Sequence, residues 1–302
     1  MVPGGRQGYP EKPIRILTSA SGGSADLVAC VLARELTLSL GQEVTVDNRA
    51  NAVIPMKVIA DAPPDGYSLL VSGGALWIGP LLRDEPSRDV FRDFVPITLA
   101  TSAPNILVVH PSLPVNSVEE LIALAASRPG KLLYSSGSTG SSSYLAGESF
   151  KLMTGVNLVR AGYSESGGII DDLISGKVQL MFGTAGVVAP HLCSDRLRAL
   201  AVTSAQPSLL APGLPTVAAS GLPGFESATL IGLFAPANTP AAIVEFLNRE
   251  SVRILRSPGI KDEFLGAAMD TVGSSPGEFT ETIKSEMARV GKLIDRSSGA
   301  KA

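Results

Sequence analysis

The sequence predicts an α/β fold of two lobes, and three observations carry that expectation. First, stretches of strand and helix length alternate: Ile14 to Leu17, Ala25 to Leu40, Val44 to Val46, Met56 to Asp61 and Tyr67 to Ser72 read as β, α, β, α, β. That order argues for parallel strands covered by helices. Second, the plan of strand, small-residue loop and helix occurs twice, once near the start and once in mid-chain. Third, the chain has 302 residues, 45% of them hydrophobic, enough to bury the cores of two lobes.

The first copy runs from Arg15 to Leu27. The apolar run to Leu17 reads as a buried strand. Ser19, Ala20, Ser21, Gly22, Gly23, Ser24 and Ala25 are all small, and Asp26 opens a long apolar helix. A small-residue loop entering a helix leaves backbone N–H groups pointing outward. The helix dipole adds partial positive charge there, so the junction suits a phosphate or carboxylate. An ordinary turn with an N-cap serine reads the same way. The second copy favours the binding reading. After Leu132 to Ser136 come Gly137, Ser138, Thr139, Gly140, Ser141, Ser142 and Ser143, then a helix. Neither loop carries Lys or Arg, so the expected donors are neutral backbone N–H groups and hydroxyls. One loop per lobe, facing across a cleft, would hold one anion from both sides.

The remaining elements follow in order. Gly41 is placed to end the first helix. Asn48 to Asn51 reads as a loop, and Ala62-Pro63-Pro64-Asp65-Gly66 is a turn signal. Gly73 and Gly74 follow the third strand. Val95 to Ala100 and Ile106 to Val109 flank Ser102-Ala103-Pro104-Asn105, read as the first crossing between lobes. Ser117 and Glu120 form a capping box for a helix from Val118 to Ser127, stopped by Pro129-Gly130. The second loop's helix runs to Met153, with Gly155 beyond it. Val156 to Val159, Val178 to Phe182 and Arg198 to Val202 read as strands, and Leu230 to Ala235 as the return crossing. Thr239-Pro240 starts a helix with proline at N1, and Ser275 with Glu278 opens the last helix as another capping box. The first lobe is then 1–103 with 229–302, and the second is 104–228. Two α/β lobes with Gly/Ser loops at strand C-termini describe a hinged binding protein.

Several chemistries are not supported. The net charge of -3 is scattered, with no basic footprint for nucleic acid. No apolar run approaches the roughly 18 residues of a membrane span, and residues 1–9 lack the apolar core of a secretory signal. Cys30 and Cys193 have no metal-ligand spacing. Cys30 reads as a buried small hydrophobe, and a Cys30–Cys193 disulfide is not expected. Neither His110 nor His191 belongs to a ligand set, and no nucleophile elbow, Walker A motif or dinucleotide fingerprint occurs. No metal or cofactor is therefore expected. Asp171-Asp172 reads as a solvated helix edge. Trp77, the single tryptophan, lies just past a strand end, where it serves either as core packing or as a cleft wall.

These residues together resemble the extracytoplasmic solute-binding receptors of tripartite tricarboxylate transporters, the Bug (TctC) family. The resemblance is carried by Tyr9 to Ile14, Ser21 to Asp26, Asp47-Asn48-Arg49, Pro64-Asp65-Gly66-Tyr67, Pro104 to Val109, Gly137 to Leu145, Leu197 to Thr203, Leu214 to Val217 and Ala235-Pro236. No single piece is specific, but their order over nearly the whole chain is. The resemblance implies a two-lobed type II periplasmic-binding fold, each lobe a mostly parallel sheet flanked by helices, joined by two crossing strands. It implies a periplasmic, monomeric receptor that takes a small carboxylate in its cleft and delivers it to a membrane permease. In the family, loops matching Ser21 to Asp26 and Gly137 to Ser143 hold a ligand carboxylate, partly through ordered water. Ser19, Ala20 and Gly73 complete the expected first half-site.

The chain departs from the family pattern in ways that bear on the ligand. Ala50-Asn51-Ala52-Val53-Ile54 stands where the family has a proline and a glycine-rich loop. Tyr163 is followed by Ser164-Glu165-Ser166 rather than Lys-Gly. Gly183, with Thr184 after it, replaces a frequent acid. Trp77 stands where a small residue is common. The expected ligand is a di-, tri- or aromatic carboxylate, and one acid fewer with one ring more leans toward the larger and aromatic ones. Tyr163, Ser166, Gly183, Thr184 and Trp77 join the candidate contacts on this ground. The alternative is an enzyme of the same lobed fold acting on a small anionic metabolite. The missing base, metal set and phosphate motif argue against it.

Overall fold

A computed structural model of the chain describes residues 8–19, 21–49, 53–82, 90–137, 141–163 and 167–299. The elements follow in chain order. The first stretch holds β1 (Ile14–Thr18), α1 (Ser24–Leu40), β2 (Val44–Asn48), α2 (Val53–Ala60), β3 (Ser68–Gly73), α3 (Gly79–Leu82), α4 (Val90–Asp93) and β4 (Phe94–Val109). Then come α5 (Val118–Ser127), β5 (Leu133–Ser136), α6 (Ser142–Thr154), β6 (Val159–Gly162), α7 (Gly167–Ile174), β7 (Leu180–Thr184), α8 (Ala185–Leu192) and β8 (Arg198–Val202). Last are β9 (Ala228–Pro236), α9 (Ala241–Leu255), α10 (Pro258–Gly266), β10 (Asp270–Thr271) and α11 (Pro276–Gly299). The chain divides into two compact units. One is Met1–Ser102 with Leu230–Gly266 and Thr271–Ile294; the other is Ala103–Thr229 with Ala267–Asp270 and Asp295–Ala302. Two of the passages from one unit to the other run along β4 and along β9.

In the first unit β1 lies between β2 and β3 and is parallel to both, with Ile14 opposite Val44 and Ile16 opposite Leu69. β9 pairs antiparallel with β3, Leu70 opposite Phe234. Helix α1 packs through Val28, Ala29, Val31, Leu32, Ala33 and Leu36, and Gly41 ends it in the left-handed conformation. The Pro64-Asp65-Gly66 turn needs its glycine twice over. Gly66 has φ +81, and a Cβ there would stand 2.6 Å from Ile243. Trp77, Phe234 and Phe279 form an aromatic cluster with ring centroids 5.0–6.0 Å apart.

In the second unit β5 lies between β6 and β7, parallel to both. β7 and β8 pair antiparallel with β4, which places Asn105 opposite Thr184. The core is built around Tyr134, Phe150, Phe182 and Phe225. Helix α6 sits so close to β5 that a Cβ on Gly147 would stand 2.3 Å from the Tyr134 ring. The fold class is the α/β architecture that the sequence predicts, with parallel strands in each unit.

Some elements differ from the sequence reading. Phe94 to Val109 is one strand, because Pro104 ends no pairing: the β7 ladder begins one residue later, at Asn105. Val156 and Leu158 are buried in the second core but precede the strand, whose ladder to β5 starts at Val159. Pro240 is the N-cap of α9 rather than its first residue. Cys30 is exposed and free, not buried, and Cys193 is likewise exposed and free. The last helix opens on the expected reciprocal box. Glu278 N–H donates to Ser275 Oγ at 3.2 Å, and Ser275 N–H to Glu278 Oε2 at 2.8 Å.

Candidate functional site

The C-terminal ends of the parallel strands collect the candidate residues of each unit. This is the edge at which open α/β sheets carry ligands. In the first unit that edge holds Ser19 after β1, Asn48 at the end of β2 and Gly73 at the end of β3. Ser21, Gly22, Gly23 and Ser24 are exposed; Ala20 lies outside the described residues. Gly22 has φ +86, a conformation that side chains rarely adopt, and Gly23 caps α1 without a side-chain bond. Asp26 takes the place of a cap. Its Oδ2 accepts the Gly22 N–H at 2.7 Å, and its Oδ1 accepts the Asn48 amide at 2.7 Å. The same Asn48 amide also donates to the Ser19 carbonyl at 3.0 Å. The Gly22 bond holds the Asp26 carboxyl below the usual carboxylate range. Burial opposes it, and bonds from Asn48 and the Cys30 thiol assist it. The acid at this loop is thus an ionised brace for the backbone.

Gly73 is held by the return strand. A Cβ there would stand 2.8 Å from the Leu230 carbonyl oxygen. Trp77 is a correction. Its ring is 1% exposed, packed against Phe234 and Phe279, and its indole N–H donates to Glu286 of α11. It is core, held by an acid that α11 buries beside it, and it presents no face to a ligand. The argument for an aromatic ligand goes with it.

In the second unit the loop between β5 and α6 is held from three sides. Ser138, Thr139 and Gly140 lie outside the described residues. Ser141 caps α6 by accepting the Tyr144 N–H at 3.3 Å. Ser143 Oγ accepts the Gly137 N–H at 3.1 Å and shares a 3.1 Å contact with the Ser141 hydroxyl. Ser142 Oγ accepts from Thr229 Oγ1 at 2.8 Å and donates to Asn105 Oδ1 at 3.3 Å. Although the loop has no cation, β6 brings one to it. Arg160 donates through Nε to Ser136 Oγ at 2.9 Å and through Nη2 to the Gly137 carbonyl at 2.8 Å. Its guanidinium lies 4.6 Å from the Tyr144 ring centroid. Arg160 lies outside both loop sequences and was not among the expected contacts. The available signal was register: Arg160 sits opposite Tyr134 on the strand beside the loop.

Tyr163 faces its own unit. Its hydroxyl donates to Asp172 at 2.7 Å, and burial first, then that carboxylate, push the phenol up to about 12. Asp172 also accepts from Lys177, so the acidic pair at 171–172 is partly engaged. Ser166 lies outside the described residues. Gly183 is buried, and a Cβ there would stand 2.5 Å from Val188 Cγ1, which explains why no acid fits at this position. Thr184 is half-buried and is the N-cap of α8, its hydroxyl making no cap bond. Asn105, opposite it, was not among the expected contacts. It is 0% exposed, and its Nδ2 has no hydrogen-bond partner among the described residues.

Among the described residues no group of three or more His, Cys, Asp or Glu side chains is placed to hold a metal. His110 Nδ1 meets Ser112 Oγ at 2.7 Å within a turn. No helix among the described residues is long and apolar enough to cross a membrane.

Residues 28–298 match the profile of the tripartite tricarboxylate transporter family receptor. The chain is 35% identical over 298 residues to the protein BugT of Bordetella pertussis, covering 97% of this chain and 91% of that protein. An R. palustris protein solved with adipate is 31% identical, with a TM-score of 0.76, covering 95% of this chain and 97% of its own. A TctC solute-binding protein from Polaromonas shares the fold with a TM-score of 0.86 at 23% identity, covering 95% and 99%.

Proposed function

Because the chain belongs to the tripartite tricarboxylate transporter receptor family, we propose that it is an extracytoplasmic receptor that captures a small carboxylate and passes it to a membrane permease. The observation that carries the ligand class is the second-unit loop. Serine hydroxyls and backbone N–H groups at the start of α6 stand beside the Arg160 guanidinium, an arrangement that favours anionic oxygens. The relative solved with adipate supports an aliphatic carboxylate as the first ligand to try. In this reading each unit contributes one loop to carboxylate recognition. Ser21 to Ser24 act from the first unit; Ser141 to Ser143 and Thr184 act from the second. Arg160 braces the loop through Ser136 and Gly137, and the groups at the start of α6 are neutral donors, which suits a protein that must release its cargo. Native mass spectrometry of freshly purified protein tests the reading. A co-purified organic acid that exchanges with added adipate is the expected result. A bound cation or a neutral sugar in its place counts against it.

A further inference from the structure

The Asn105 side chain is a donor without an acceptor. Buried polar groups in folded proteins are almost always paired, so a fully enclosed amide nitrogen with no partner asks for one. The rest of the residue is committed. Its backbone N–H donates to Thr203 Oγ1 at 2.8 Å, and its carbonyl accepts the Thr203 N–H at 2.9 Å. Its Oδ1 accepts the Ser142 hydroxyl, which in turn accepts from Thr229. In this arrangement Oδ1 takes the Ser142 hydroxyl, and Nδ2 is the end of the amide left as a donor.

Two neighbours mark where a partner would come from. Ser142 is the first residue of α6, at the loop already described. Thr184 lies opposite Asn105 in the β4–β7 ladder, so the two side chains share one face of the sheet. Thr184 is half-buried, and its hydroxyl makes no cap bond. An oxygen-bearing group that reaches Thr184 from solvent comes next to Asn105 on that face.

We infer that Asn105 is a ligand-binding residue whose Nδ2 donates to a carboxylate oxygen held between Thr184 and Ser142. The inference rests on the receptor reading and adds to it a side-chain donor that selects an acceptor oxygen. An amine or ammonium at that position meets a donor and is rejected. Asn105→Asp keeps the acceptor that Ser142 uses and replaces only the orphan donor.

The test is calorimetry of wild type, Asn105→Asp and Asn105→Leu with adipate, succinate, citrate and benzoate, at pH 8.5 and pH 5.5. Each variant is compared with wild type at the same pH, because adipate, succinate and citrate are themselves partly protonated at pH 5.5. Asn105→Asp should bind that acid at least tenfold more weakly at pH 8.5, where its carboxylate repels the ligand. Part of the loss should return at pH 5.5, where a protonated carboxyl donates. Asn105→Leu should lose affinity equally at both. Thermal melts at both pH values separate a structural role: an affinity loss in Asn105→Asp that merely follows a loss of stability overturns the inference. An Asn105→Asp affinity within twofold of wild type at both pH values overturns the inference and leaves the receptor reading standing. A wild type that binds none of the four acids overturns both. Should the variants fail to fold, a crystal structure of wild type with its best acid decides. An acid oxygen within hydrogen-bond distance of Nδ2 supports the assignment, and an Nδ2 still unpaired, or paired to protein, overturns it.

Discussion

The Asp26 carboxylate, three residues into α1, accepts the Gly22 backbone N–H at 2.7 Å. An acid at a proposed anion site is thereby turned away from the ligand and used to shape the loop. The bond to Gly22 is the main cause of the lowered Asp26 pKa. A lowered folded-state value means that the stabilisation is full above the unfolded pKa of about 3.9 and is lost as pH falls through the folded value. Asp26→Asn should therefore lower stability at pH 7 by less than about 1 kcal/mol, a small effect because the group is partly solvated. The gap between the two proteins' thermal melts should begin to close as pH falls below about 4 and close fully only below the lowered folded value. A gap that does not narrow at all as the solution is acidified would mean the carboxylate charge is not what braces the loop.

Gly22→Val tests the loop's backbone. Gly22 has φ +86, and among the described residues nothing beyond its chain neighbours lies within 4 Å of where a Cβ would stand. The cost is then conformational, about 1–2 kcal/mol, rather than a steric clash inside the protein. Melting should shift modestly while carboxylate affinity falls more than tenfold, because the new side chain occupies the space in front of the N–H groups. Unchanged affinity in a folded variant would reduce the first loop to an ordinary turn.

Trp77→Ala should behave as a core truncation. The ring packs with Phe234 and Phe279, and its indole N–H binds Glu286, an acid that α11 buries. A loss of about 3–5 kcal/mol in denaturant unfolding is expected, with carboxylate affinity retained by the folded fraction. Ligand addition to wild type should leave the tryptophan emission maximum where it is. A marked spectral shift on binding would return Trp77 to the site.

Arg160→Lys separates charge from geometry. Lysine keeps the positive charge but lacks the planar fork through which the guanidinium donates to Ser136 Oγ and the Gly137 carbonyl from two separate nitrogens. Carboxylate affinity should fall several-fold in Arg160→Lys and further in Arg160→Met. Equal affinity in all three proteins would show that the second loop holds its shape without this support.

What the sequence made legible was local. Strand β1, the small residues behind it and the apolar α1 follow from adjacent residues, as do the capping boxes at Ser117 and Ser275. What it hid was set by partners far along the chain. Trp77 looks like a loop residue until Glu286, 209 positions later, binds its indole. Arg160 reaches the second loop only because β6 lies beside β5, and Asn105 becomes an orphan donor only once Thr203 and Ser142 have taken its other groups. Val156 and Leu158 show the same limit: alternating burial identifies core residues, but a strand is defined by its ladder, which begins at Val159.

The central claim is that the two Ser/Gly loops recognise a carboxylate, and adipate set against its diamide measures it most directly. The two ligands match in length and shape and differ in charge and in acceptor oxygens. Calorimetry of the wild-type chain should give adipate at least a tenfold advantage, about 1.4 kcal/mol. That advantage should shrink in Ser142→Ala, where the hydroxyl joining Thr229 to Asn105 is removed. Equal binding of adipate and the diamide, or binding of the diamide alone, would contradict the account.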